Sequence, residues 1–399
     1  MTFSPSPHAE RAPWWSLSLL PNRYPALHGV RALAIVSVVQ HHVTDWFRAW
    51  RILPDTPATR LSHGLWFGMD LFFILSGFLI GSMILGAQRE GALRFGRFYL
   101  RRAFRIFPAY YVVLSLLAFG LPALLGITLS AEQRAGLWAE YLYLTNYLPW
   151  AGRAVMPYAW SLAVEEHFYL LVPLLLAGLA RVRSRALQLG SLTLLWASGF
   201  ALRLAVFALH GPRTRDAMVA TFYIQSHFRY DILIAGVWLA VVEHHHAAAL
   251  DAAIARPAVR RGLLALSAAA FGLLFYYPLQ AQHPAFNLFC WGALTSLGYV
   301  PLILVLLHAR TAWVAALGWS GFRRWATLGY GIYLVHVPLI ALVTVPWAGA
   351  AMLRGSLNFG GAWCLALGLG LALSTALAWV LHVAVEKPAM ALRDRLTAP

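Results

Sequence analysis

Ten runs of about 20 mostly apolar residues, separated by short segments rich in arginine, constrain this chain more than any other feature. A run of that length matches the roughly 30 Å of hydrocarbon that a helix must cross. The runs fall at 29–47, 64–86, 104–126, 158–180, 187–209, 223–243, 261–279, 286–307, 327–349 and 358–384. They predict an all-α fold, a polytopic membrane bundle of about ten transmembrane helices. A membrane barrel is excluded, because its strands would show about ten residues of alternating character instead of long unbroken runs. Composition agrees: 60% of residues are apolar and 12% charged, and the 14% that are aromatic suit the two water–lipid boundaries.

The formal charge of +16 would admit a nucleic-acid partner if the arginines formed one stripe or tail. They lie instead between the apolar runs, so membrane topology explains them and no nucleic acid is expected. With the N-terminus inside, twenty-one of the 31 basic residues fall in inner segments, among them Arg89, Arg94, Arg97, Arg101, Arg102 and Arg105. Nine fall in outer segments, such as Arg48, Arg134 and Arg354, and Arg203 lies within the fifth run. This bias predicts both termini in the cytoplasm. Residues 1–28 read as a cytoplasmic lead without the features of a signal peptide, 29–384 as the transmembrane domain and 385–399 as a cytoplasmic tail. So short a tail leaves the chemistry to the bundle. Cys290 and Cys364 both sit in apolar runs, so neither a disulfide framework nor a metal site is expected. The stretch 130–148, with Trp138, Tyr141, Tyr143 and Tyr147, reads as an interfacial helix or re-entrant lid.

Ionisable side chains at membrane depth cost several kcal/mol and persist chiefly where they face a cavity or a partner. In the first run Arg31 and His42 are eleven residues apart. That spacing places them within about 20° on one helix face and roughly 16 Å apart along the axis. His41 points about 80° away from Arg31. A histidine satisfied by a backbone carbonyl is the plainer reading of His42. In the second run Asp70 either caps the outer helix end or serves the site, and Ser76–Gly77 permits close helix approach. The fourth run opens AWSLAVEEHFYL, with Ser161, Glu165 and Tyr169 on one face and Glu166 turned away by about 100°.

The segment RFYLRRAFRIFPAYY gathers Arg101, Arg102 and Arg105 in a loop ahead of Pro108, which is read as the start of the third span. A cluster of guanidinium forks suits phosphate, although an ordinary positive-inside anchor would also look basic. Arg229 and Asp231 open the sixth span, His336 lies in the ninth, and VEKP (Glu386 to Pro388) closes the tenth. His244, His245 and His246 form a run read as a solvated loop.

Together these motifs identify a resemblance. LHGVRALAIV followed by the His41–His42 pair, GMDLFFILSGFLI, RRAFRIFPAYY, AWSLAVEEHFYL, FRYDILIAG, LGYGIYLVHVPL and VEKP, in this order, resemble the acyltransferase-3 family of integral membrane O-acyltransferases. The resemblance implies functional roles for Arg31 and His42, for Arg102, Arg105 and Pro108, and for Glu165 and Glu166. It implies a cytoplasmic acyl-CoA donor, most often acetyl-CoA, and a hydroxyl acceptor on a carbohydrate, a lipid-linked glycan or a secondary metabolite. It also implies a multi-pass protein of the bacterial inner membrane. One departure is visible: the family commonly carries an aspartate near the first-helix glycine, where this chain has His28 beside Gly29.

Such a reaction needs a base, a partner for that base, and a grip on the donor's phosphates. His42 is the expected base, with Glu165 or Asp70 as its partner. Arg31, Arg101, Arg102 and Arg105 are expected to hold the donor, and Glu166, Arg229, Asp231 and His336 the acceptor. The competing reading is a secondary transporter in which the buried histidine and carboxylates relay protons.

Overall fold

The computed structural model describes residues 15–52, 54–65, 68–148, 154–210, 219–279 and 284–397; residues 1–14 of the expected lead lie outside them. Among the described residues there are helices and turns but no strand. The long helices are α1 (Pro25–Ala49), α3 (Gly68–Arg89), α4 (Phe95–Leu125), α6 (Trp160–Leu179) and α7 (Arg185–His210). They continue with α8 (Tyr230–Ala255), α9 (Pro257–Leu279), α10 (Pro284–His308), α12 (Ser320–Leu353) and α13 (Phe359–Leu396). Shorter helices α2 (Pro57–Gly64), α5 (Ala131–Tyr141) and α11 (Ala312–Leu317) connect them.

Nine of these helices are long and apolar enough to cross a membrane, so the chain is a multi-pass membrane protein. The remaining long helix is α1, whose interior carries Arg31, Gln40, His41, His42 and Asp45. A helix with that many polar groups is stable at membrane depth only when protein covers it. α1 accordingly packs against α3, α12 and α13, with Val39, Val43 and Phe47 buried against Ile332, Ile340 and Ala362.

α3 forms the other half of the core by lying against α8. The approach is closer than side chains permit: a Cβ on Gly77 would stand 2.1 Å from the Leu233 carbonyl oxygen, and one on Gly236 2.1 Å from that of Ile74. Gly77 of the second span, facing Gly236 on α8, therefore sets the interhelical distance, while Ser76 turns elsewhere.

Several boundaries differ from the expectation for one physical reason: a helix continues past the hydrocarbon as long as its residues form helix well, and arginine does. α4 begins at Phe95, so Arg97, Arg101, Arg102 and Arg105 ride on a helix, not in a loop, and Pro108 lies inside it instead of opening it. His244, His245 and His246 likewise belong to α8, which kinks at His246. The expected tail is helical as far as Leu396. Within 130–148 the chain forms α5, capped by Ser130, whose side chain accepts from the Gln133 N–H. A 3-10 turn at Thr145–Tyr147 follows. Wide π turns interrupt α4 at Leu116–Gly120, α12 at Ile340–Thr344 and α13 at His382–Glu386. Such turns recur where helices serve a site.

Candidate active site

A cavity of about 250 Å³ lies between α1, α3, α4, α6 and α12. Three guanidinium groups reach it, Arg31 from α1 and Arg102 and Arg105 from α4. The three-residue step from Arg102 to Arg105 puts both on one helix face. Arg101 points elsewhere and is exposed. α6 contributes Ser161, Glu165, Glu166 and Tyr169, and α12 contributes Tyr330, Tyr333 and His336. The shared face of Ser161, Glu165 and Tyr169 thus looks into one space, and Glu166 reaches the same space from the next face.

The carboxylates and guanidinium groups interlock. Ser76 donates to Glu165 Oε1 at 2.8 Å and Tyr169 donates to Oε2 at 3.0 Å. The Arg102 guanidinium stacks over the Tyr169 ring, 4.3 Å from its centre, while its Nε–H is buried with no partner among the described residues. Arg105 Nη1 lies 3.7 Å from Glu386, which also accepts from His382 Nδ1 at 2.8 Å. Ser18 N–H donates to the other ring nitrogen of His382. VEKP therefore supports the arginine on α4, a pairing across 281 positions that spacing along the chain does not disclose. Tyr330, Tyr333 and Glu386 are members that sequence reasoning assigned no role, and Ser76 was read only as a small residue for helix packing; their signal was a hydroxyl or carboxylate within an apolar run.

His336, also lining the cavity, is buried. Its Nδ1 lies 2.7 Å from the Tyr333 carbonyl oxygen. A carbonyl only accepts, so Nδ1 carries the hydrogen and Nε2 presents a lone pair. The His336 ring centre is 5.1 Å from that of His42, 5.4 Å from that of Tyr333 and 5.6 Å from that of Tyr158. The Tyr333 hydroxyl is 2.6 Å from Ser161 Oγ, which fixes α12 against α6. His42 is packed behind His336 and is half-buried.

His41 turns to Asp45, with Nε2 and Oδ2 3.5 Å apart. One ligand atom each from His41, His42 and Asp45 fall within 4.8 Å of one another. That separation is close enough for a single ion, although the sequence pattern predicted none. Asp45, four residues after His41, is a carboxylate that the sequence reading passed over.

The remaining expected site residues sit apart from this cavity. Asp70, expected as a partner for His42, pairs with Arg229 and accepts from Trp291 Nε1. Arg229 is covered by the rings of Tyr223, Phe73 and Trp160, at 4.6, 5.6 and 6.0 Å. Asp231 pairs with Arg203 at 2.7 Å, and Arg203 also donates to the Phe228 carbonyl at 2.6 Å. The physical reason is charge complementarity: four ionisable groups on α3, α7 and the start of α8 neutralise one another within the bundle. Outside the spans, Glu140 on α5 accepts the backbone N–H groups of Val155 and Met156, both at 2.9 Å. Burial pushes its carboxyl above the usual range, and those two bonds pull it back in part. This clasp holds the chain that leads into α6.

The acyltransferase-3 family model, described as an acyltransferase domain, matches residues 24–383. The chain belongs to that family. The transporter reading finds no support in this match. The chain is 28% identical over 337 residues to a Bacillus subtilis protein named "Putative peptidoglycan O-acetyltransferase YrhL", covering 81% of this chain and 50% of that protein. It is 27% identical over 347 residues to the peptidoglycan O-acetyltransferase OatA of Listeria monocytogenes, covering 80% of this chain and 50% of that protein. The chain thus spans about half the length of the curated relatives it matches. No solved structure matches it.

Proposed function

We propose that this chain is an acyl-CoA-dependent O-acyltransferase of the bacterial plasma membrane that moves an acetyl group to a hydroxyl of a cell-surface glycan. The observation that carries the reading is the convergence of Arg31, Arg102 and Arg105 on a cavity that is also lined by His336, which stands beside His42. The arginines grip the donor's phosphates, and the apolar lining, with Val38, Met69 and Phe72, suits the pantetheine arm. Both termini and the arginine face of α4 lie in the cytoplasm, in line with the arginine bias. The activity for which the two relatives are named favours a glycan as acceptor.

His42 takes the proton of the acceptor hydroxyl as its oxygen attacks the thioester carbonyl. The C–O bond forms, the C–S bond breaks, and the thiol of CoA leaves with one proton. Glu165, held by Ser76 and Tyr169, keeps negative charge beside the arginines so that the cavity is not uniformly cationic. The test uses purified protein in detergent with acetyl-CoA and soluble peptidoglycan fragments, following free thiol and the mass of the fragments. Acceptor-dependent thiol release with one added acetyl mass is the expected result. Donor binding without release in the presence of any glycan fragment would overturn the acceptor class, and absence of donor binding would overturn the donor.

A further inference from the structure

We propose that His336 is a second proton carrier, which returns to the CoA sulfur the proton that His42 removes from the acceptor. The inference rests on the acyl-transfer reading and assigns the donor-side half of its proton traffic.

Three observations carry it. His336, and not His42, is among the residues that line the donor cavity. Its Nδ1–H is fixed on the Tyr333 carbonyl at 2.7 Å, which locks the tautomer and leaves a lone pair on Nε2. That Nε2 is buried and has no hydrogen-bond partner among the described residues. A buried acceptor left unpaired costs about 1–3 kcal/mol, so it calls for a donor that arrives with the reaction. Of the His42, Tyr333 and Tyr158 rings around it, that of His42 comes nearest, 5.1 Å away between centres. At this spacing two facing ring nitrogens come within about 2.8 Å of each other, a hydrogen-bond distance. His336 is held by Tyr333 and boxed by Tyr158, so His42, half-buried against His41, is the ring that turns.

The step balances. The acceptor O–H proton moves to His42. The oxygen bonds to the acyl carbon and the C–S bond breaks, leaving its electron pair on sulfur. His42 passes its proton to His336 Nε2, and His336 gives it to the thiolate. Both imidazoles end neutral, and no other reagent is consumed. Two histidines instead of one allow the acceptor and the donor to approach the thioester from opposite ends of the site, each with its own proton-handling ring.

The prediction separates this role from packing because a thiol acidic enough to depart unprotonated has no need of His336. With purified protein, His336→Gln is expected to lower acetyl transfer from acetyl-CoA by at least about a hundredfold while acetyl-CoA binding stays intact. With S-(4-nitrophenyl) thioacetate as donor, the same variant should stay within severalfold of the parent, whereas His42→Ala should lose transfer from both donors. Equal loss from both donors in His336→Gln, or no loss with acetyl-CoA, would overturn the relay.

His336→Asn serves as the second variant should the glutamine protein fail to assemble. The unaltered protein offers a measurement independent of folding. Across thioesters of graded thiol acidity its rate should be nearly flat, and a steep rise with acidity would mean that sulfur leaves without help. If the unaltered protein frees thiol from neither donor, the acyl-transfer reading itself fails, a result distinct from a failure of the relay.

Discussion

Two groups of charged residues lie within this bundle, and they handle the same energetic problem in opposite ways. Between α3, α7 and α8, Asp70 pairs with Arg229 and Asp231 with Arg203, Trp291 and the Phe228 carbonyl add further bonds, and among the described residues only the Nε–H of each arginine is left without a partner. Around the cavity, Arg31, Arg102 and Arg105 gather with Glu165 and Glu166, Arg105 also reaching Glu386, and among the described residues Arg102 Nε–H and His336 Nε2 have no partner. The first group is closed in charge, each arginine matched to its own aspartate away from the cavity. The second is incomplete at the cavity: its guanidinium groups would take an anion, and the His336 lone pair a hydrogen-bond donor. A charged residue inside a membrane span is thus a sign of function only when its partners have been found and fall short.

The sharpest way to break this contrast is to open the closed group. Asp70→Ala leaves Arg229 uncompensated and should cost about 3–5 kcal/mol, seen as a lower yield of folded protein and a lower unfolding temperature. Removing both charges with Asp70→Asn and Arg229→Gln should recover much of that loss. If Asp70→Asn unfolded normally yet transferred no acetyl group, the closed group would belong to the reaction and the contrast would fail.

In the incomplete group the largest effect is expected at His42. Its replacement by alanine should reduce transfer by about a hundredfold or more with donor binding nearly unchanged, while His41→Ala should be far milder. Equal losses at the two positions would mean that the pair acts together with Asp45, and chelator sensitivity would then point to a shared ion.

A step smaller, Arg102→Ala and Arg105→Ala should each weaken acetyl-CoA binding by about 1.5–3 kcal/mol, tenfold or more in affinity. Lysine should rescue poorly at Arg102, where the planar fork stacks on Tyr169. Isothermal titration is the direct readout, and unchanged affinity in the double variant would reduce the cluster to a topology signal. The smallest effect sharpens the comparison from outside the spans. Glu140→Gln loses one of two carboxylate contacts to the Val155 and Met156 N–H groups and should lower stability by about 1–3 kcal/mol. A larger loss of donor affinity than of stability would place that clasp in the donor site instead.

The spans and the shared face of Ser161, Glu165 and Tyr169 were legible because helical periodicity is a local property. The two charged groups could not be told apart in the same way. Asp70 and Arg229 are separated by 159 positions, and His42 and His336 meet only because α1 packs against α12. Nothing local distinguishes an aspartate already matched to an arginine from one facing a cavity. The misplaced loops at Arg101 and His244 have a different origin. Hydropathy marks where lipid ends, whereas the backbone keeps its hydrogen bonds and stays helical beyond that point. Glu386, visible as part of VEKP, gained a role only once α13 was seen against α4.

The glycine contact between α3 and α8 also limits which parts of the protein can move. Ser76, which grips Glu165, and Gly77, whose missing Cβ admits the Leu233 carbonyl, are adjacent on α3 and so face directions about 100° apart. Rolling α3 far enough to release Glu165 would bring a side chain against the backbone of α8, where there is room for none. The wall between the two charged groups therefore behaves as a fixed post, and any gating that admits donor or acceptor falls to helices whose ladder is already loosened, such as α12 at its Ile340–Thr344 turn.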